Sequence, residues 1–139
     1  MNRYRWEDIS LGLNWSFQAT FTQKMMEQYA DLSGDLNPLH TDPAYAQECG
    51  FPAPIVFGLM SSSLYSRLVG LYLPGKFALL QGIDIDFHSP CFVGDILNVE
   101  GEVIYMNAAF KRFEIRGRIR KEDRSTVSKS TIRVGFHGR

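Results

Sequence analysis

Apolar and polar positions alternate with period two over most of the second half of the chain. Ile83, Ile85 and Phe87 alternate with Asp84, Asp86 and His88, while Leu97, Val99, Val103 and Tyr105 point one way and Asn98, Glu100 and Glu102 the other. Phe113, Ile115 and Ile119 alternate with Glu114, Arg116, Arg118 and Arg120, and Ile132, Val134 and Phe136 alternate with Thr131 and Arg133. Successive side chains of a strand leave on opposite faces, so the pattern predicts four strands with one face buried and one solvated. The stretches "SPCFVGD", "NAA" and "KEDRS" supply the turns between them. Trp15, Phe17, Ala19 and Phe21 alternate with polar residues and predict one earlier strand.

Helical spacing appears between these regions. Thr22 can cap a short helix whose apolar side is Met25, Met26, Tyr29 and Leu32, and Gly34 suits its left-handed C-terminal cap. Pro43 suits the first turn of a second short helix, "PAYAQEC", which "GFPAP" ends. The longest helix is predicted from about Gly58 to Leu73. One of its stripes is apolar (Met60, Leu64, Leu68, Leu71) and a second is small (Ser62, Ser63, Ser66, Gly70). At Ile55 to Leu73 the apolar segment matches a membrane span in length, yet it holds Arg67 and four serines and runs into Pro74-Gly75, which points to a buried helix.

These elements predict an α+β domain in which an antiparallel sheet wraps around one long central helix, each covering the other's apolar face. No linker, repeat or low-complexity tract divides the chain, so residues 1–139 read as one domain. A five-stranded sheet leaves open edges, which makes pairing with a second copy natural. With 45% hydrophobic and 22% charged residues the composition is that of an ordinary globular chain. Fifteen basic and fifteen acidic side chains cancel, leaving no global field for nucleic acid or an anionic membrane. Cys49 and Cys91 show no CxxC or zinc spacing, and "MNRYRWEDISLG" has no signal-peptide core, so a cytoplasmic location with reduced thiols is expected. No P-loop or dinucleotide fingerprint occurs. His88 and His137 read as surface residues, and "NWS" at Asn14 as a chance sequon.

The candidate chemistry sits in "SGDLNPLHTDP", Ser33 to Pro43. Asp and Asn before Pro form turns by bonding nearby backbone, and His40 could simply satisfy a carbonyl. Alternatively Asp35 and His40 converge on one small molecule. Five residues extend to about 17 Å, so only a turn, here at Pro38, brings them together, with Asn37 orienting a partner by hydrogen bonding. An acid and a neutral imidazole sharing a water would serve acid–base catalysis, because the histidine reference pKa of about 6.5 lies near working pH. Neither a nucleophile nor a metal is implied, since no second histidine lies at ligand spacing, and no cofactor is expected.

"YADLSGDLNPLHTDPAYA", Tyr29 to Ala46, closely resembles the signature of the MaoC-like hydratases, the (R)-specific enoyl-CoA hydratase group. "APIVFGLMSSSLYSRLVG" resembles the start of that family's central helix and "LPGKFALLQGIDIDFHSPCFVGD" its following strand and turn, so the likeness runs from about Phe21 to Asp95. The resemblance implies a hot-dog fold, a homodimer or higher oligomer with its site at or near the subunit interface, and reversible hydration of a trans-2-enoyl thioester to the (3R)-3-hydroxyacyl thioester. It carries Asp35 and His40 over as the catalytic pair, Asn37 as a supporting hydrogen-bonder, and coenzyme A or acyl carrier protein as the thioester carrier.

Addition of water to such a thioester places charge on the carbonyl oxygen, and an unpaired amide at a helix N-terminus can receive it. Gly58, at the start of the long helix, is the candidate donor, unless it only eases the turn. The family pattern often has histidine where this chain has Phe57, which predicts a drier wall beside the thioester. Ser66 either approaches the thioester or, with Ser62 and Ser63, permits close packing. Val69 and Leu73 are candidates for limiting acyl length. The run from Lys111 to Arg124 either meets coenzyme A phosphates or forms a solvated face. A hot-dog thioesterase often uses an acid on the central helix, and residues 58–73 hold no Asp or Glu. A non-catalytic thioester-binding protein would not need the intact Asp35, Asn37 and His40 set.

Overall fold

Five antiparallel strands form one sheet in the order β1-β3-β4-β5-β2. They span Asn14–Ala19 (β1), Ala78–Phe87 (β2), Leu97–Asn107 (β3), Arg112–Lys121 (β4) and Thr126–Phe136 (β5). The structure is a computed structural model describing residues 1–138; Arg139, the last residue of the expected domain, lies outside the described residues. Helices α1 (Gln23–Ser33), α2 (Pro38–Thr41) and α3 (Pro43–Glu48) precede the central helix α4 (Gly58–Arg67), which continues as a π-helical turn over Leu68–Tyr72. No helix among the described residues is long and apolar enough to cross a membrane.

The sheet curls around α4 because both surfaces are apolar. Leu97, Val99 and Val103 of β3, Phe113, Ile115 and Ile119 of β4, and Ile132 and Val134 of β5 bury against Met60, Leu64, Tyr65 and Leu68. Gly101 of β3 makes the close approach possible. A Cβ there would stand 2.5 Å from Leu68 Cδ2 and 3.0 Å from Ile115 Cγ2. The Tyr65 hydroxyl, carried into this core, is satisfied by Ser128 Oγ at 2.8 Å.

The polar face of the sheet carries the charges in pairs. Arg116 meets Glu102 at 3.0 Å, Arg133 meets Asp84 at 2.7 Å, Arg120 meets Glu100 at 3.7 Å and Lys121 meets Asp95 at 3.5 Å. Arg116, Arg120 and Lys121 of the late basic run are therefore engaged by neighbouring carboxylates, as on a solvated face.

Several expected placements differ. The π-helical turn winds more residues into each turn than an α-helix, so Val69 and Leu73 rotate inward and Leu71 is 37% exposed. A register shift between Val103 and Tyr105 adds a residue to β3, which sends Tyr105 outward and Met106 against the core. On α1 only Met26 and Ala30 are buried; the helix touches the core along a narrow line, leaving Met25 exposed and Leu32 84% exposed. Strand β1 ends at Ala19, and Phe21 enters the core from the loop.

The first residues, to which the pattern assigned no element, clasp the end of the central helix. Asn2 donates to the Leu71 carbonyl from its backbone at 2.7 Å and to the Tyr72 carbonyl from its side chain at 2.8 Å. Those are carbonyls that a helix end leaves without internal partners.

Candidate active site

The loop after α1 is built almost entirely from local hydrogen bonds. Thr22 caps the start of α1 by accepting from the Met25 amide at 3.2 Å, and Gly34, at φ 73°, ends the helix. Asp35 Oδ1 accepts from the Asn37 amide at 3.1 Å, and Asn37 Oδ1 accepts from the Leu39 amide at 2.9 Å. Pro38 occupies the first turn of α2, where its missing N–H costs nothing. Asp42 then caps α3 through the Ala44 and Tyr45 amides. Asn37 thus shapes the turn that presents His40.

His40 is half-buried and held on two sides. Its Nδ1 lies 2.7 Å from the Ile55 carbonyl oxygen. A carbonyl can only accept, so Nδ1 carries a proton, and in the neutral ring Nε2 then holds the lone pair. The imidazole also stacks on the Phe57 ring at 4.4 Å between centroids and 27° between planes. The Ile55 amide donates back to the Leu39 carbonyl at 3.1 Å, which locks the two segments together.

Beside His40 lies an open cleft of about 250 Å³, bounded by Ile55, Gly58, Ser61, Phe87, His88 and Cys91 among others. Gly58 is the first residue of α4 and its amide has no hydrogen-bond partner among the described residues. A Cβ on Gly58 would sit 3.0 Å from Cε1 and Cζ of Phe87, tight enough that the ring must shift. His40 and Gly58 are thus brought into one cleft: an imidazole lone pair beside the positive end of a helix.

The remaining candidates lie elsewhere. Asp35 is exposed at the loop and makes no direct hydrogen bond or ion pair with His40 among the described residues. Phe57 is 2% exposed and sits beneath His40, between it and Tyr29, whose ring lies at 4.7 Å. Ser66 is exposed on α4, and Val69 and Leu73 are buried in the core. Ser62 and Ser63 spend their hydroxyls on the Gly58 and Met60 carbonyls, at 2.8 and 2.6 Å. Of Ser62, Ser63 and Ser66 only Ser62 is buried, so the Ser62 and Ser63 hydroxyls serve the helix's own carbonyls rather than a packed seam.

Ser61, Phe87, His88 and Cys91 were not singled out as site residues from the sequence. Ser61 follows Gly58 by three residues and so shares its helix face, a spacing that was available to find it. The other three come from the end of β2 and the turn beyond, which only the folded chain brings to α4. Burial pushes the Cys91 thiol up to about 11, with Asp95 adding to the effect and Lys121 opposing it. The folded state therefore holds this proton above the ordinary 9.0. Its contribution to stability is complete below that value and is lost as pH rises through about 11. Near pH 8, roughly where a free thiol begins to ionise, iodoacetamide should label exposed Cys49 and reach Cys91 only after unfolding. Intact mass should show one adduct natively and two in denaturant; two in the native protein would contradict this burial.

A five-stranded antiparallel sheet wrapped around a central helix, with a histidine cleft at the helix N-terminus, defines a hot-dog protein with a site suited to acid–base chemistry. The chain belongs to the MaoC-like domain family, whose profile matches residues 12–124. It is 39% identical over 97 residues to the (R)-specific enoyl-CoA hydratase of Aeromonas caviae, covering 70% of this chain and 72% of that one. It is 36% identical over 75 residues to the mitochondrial 3-hydroxyacyl-[acyl-carrier-protein] dehydratase of Arabidopsis thaliana, covering 54% and 44%. The solved structure of an (R)-hydratase from A. caviae involved in PHA biosynthesis superposes with a TM-score of 0.90 at 31% identity, over 94% of this chain and 99% of that one.

Proposed function

We propose that this protein is an (R)-specific enoyl-CoA hydratase, reversibly adding water to trans-2-enoyl thioesters to give (3R)-3-hydroxyacyl thioesters. The observation that carries the reading is the His40 imidazole, fixed with Nδ1–H on the Ile55 carbonyl beside the unpartnered Gly58 amide. The similarity to the hydratase of A. caviae supports it.

In the proposed reaction the water is bound at His40 Nε2, and the Asp35 carboxylate, which stands outside the cleft lining, completes its hold from the neighbouring loop. His40 Nε2 takes one proton, and the water oxygen bonds to C3 of the enoyl group. The C2=C3 electron pair moves toward the thioester carbonyl, whose growing negative charge is met by the Gly58 N–H. The proton then returns to C2, which completes addition of H and OH without any net redox change. Asp35 accepts a hydrogen bond from the water's second O–H, which stays on the oxygen as the product hydroxyl, and its charge balances the imidazolium. In the reverse direction the same groups dehydrate the 3-hydroxyacyl thioester.

A second copy of the chain is part of the proposal. Leu36, next to Asp35, is 71% exposed, and Leu59, next to Gly58, is 67% exposed. Apolar side chains flanking both site residues suit a homodimer whose partner covers the site and excludes water from it. Coenzyme A is the proposed thioester carrier, with acyl carrier protein as the alternative.

The test is a panel of enoyl-CoA chain lengths, followed by loss of the conjugated enoyl absorbance and, in parallel, by titration of free thiol. Loss of absorbance without thiol release is expected. Thiol release without hydration would instead assign a hot-dog thioesterase, and binding without turnover a non-catalytic protein.

A further inference from the structure

Resting on the hydratase reading, a role for one buried ring can be assigned. We propose that Phe57 is a positioning residue that fixes the rotation of the His40 imidazole, so that Nε2 rather than Nδ1 faces the cleft. Two contacts set that rotation, and both come from the short segment leading into α4. The Ile55 carbonyl holds Nδ1–H at 2.7 Å, and the Phe57 ring lies against the imidazole face at 4.4 Å and 27°.

A single hydrogen bond does not by itself stop the imidazole from turning about its Cβ–Cγ bond, which would break the contact to Ile55 and exchange Nδ1 for Nε2; a flat surface under the ring opposes that turn. Phe57 can act as such a surface because it is itself immobilised. It is 2% exposed, its other neighbour is Tyr29 at 4.7 Å and 52°, and its carbonyl accepts from the Ser61 amide at 2.9 Å. Its backbone, at φ −53° and ψ 131°, is the cap of α4, so the next amide in the chain is that of Gly58. The same residue therefore sets the imidazole and the proposed oxyanion donor in one frame. Phe57 bears no polar atom on its side chain and does not line the cleft, so it acts through His40.

The test compares wild type, Phe57→Leu, which keeps an apolar filling but loses the flat face, and Phe57→Tyr, which keeps the ring. Nitrogen-15 spectra of the imidazoles, with the His40 signals identified by their loss in His40→Ala, report tautomer and ring-current shift without any need for turnover. Wild type should show His40 as the single Nδ1–H tautomer, with carbon-bound ring protons moved upfield by the Phe57 ring. In Phe57→Leu that shift should vanish, both tautomers should appear, and kcat should fall about tenfold to a hundredfold, the scale of a small misplacement of a reacting group. KM should stay within about twofold, since ground-state binding is not what is lost. Phe57→Tyr should restore the single tautomer and most of kcat.

A His40 spectrum unchanged in Phe57→Leu, or two tautomers in wild type, overturns the proposal. Should Phe57→Leu not fold, the wild-type spectrum and Phe57→Tyr still decide. If wild type hydrates no enoyl thioester, the hydratase reading fails by itself, and the spectra continue to test whether Phe57 orients His40.

Discussion

Asp35→Asn and His40→Ala should each lower kcat/KM for hydration of crotonyl-CoA by about 10²–10⁴-fold, the range that a positioned acid or base contributes. The asparagine variant separates chemistry from architecture. Its side-chain carbonyl can still accept the Asn37 amide bond that Asp35 makes at 3.1 Å, so the turn survives while the charge is lost. Asp35 is exposed, and its melting temperature should barely move. His40→Ala gives up the bond to the Ile55 carbonyl and the stack on Phe57, so a loss of about 1 kcal/mol of stability is expected alongside the lost rate. Initial rates paired with thermal melts check both. Wild-type rates in folded samples of both variants would remove the pair from the reaction.

Gly58→Pro should lower kcat by about 10²–10³-fold, as loss of one oxyanion donor does, while Gly58→Ala should lose far less. The pair isolates a single N–H. Proline is tolerated at the first position of a helix, where the amide makes no internal bond, and it needs an extended residue before it. Phe57, at φ −53° and ψ 131°, meets that requirement. Both substitutions add a Cβ that must displace the Phe87 ring from 3.0 Å, so this steric cost is shared. Only proline removes the donor. Steady-state kinetics on one enoyl-CoA, with circular dichroism to confirm folding, decide the matter. Equal rates in the two variants would show that the Gly58 amide does not meet the developing charge.

The sheet was legible because strand periodicity survives wherever one face is buried, as in β3 to β5; β2 keeps the alternation although Ile83 and Ile85 are only half-buried and Phe87 is exposed. It failed where backbone geometry broke the repeat. The β3 bulge reversed Tyr105, and the π-helical turn carried Leu71 outward. Within the site, local chemistry was readable. Asp35, Asn37 and Pro38 form a turn through contacts two residues apart, and Gly58 begins a helix. Long-range packing was not readable. The sequence suggested Phe57 as a dry wall of the substrate pocket, yet its ring lies under His40, an arrangement that depends on how the two segments dock. His88 looked like a surface residue and is exposed, but the end of β2 places it on the cleft.

Chiral analysis of the product that wild-type protein forms from crotonyl-CoA tests the central assignment most directly. A water held on one side of the double bond by Asp35 and His40 should yield only the (3R)-3-hydroxybutyryl thioester. A (3S) or racemic product, or no hydrated product from folded protein, would contradict it.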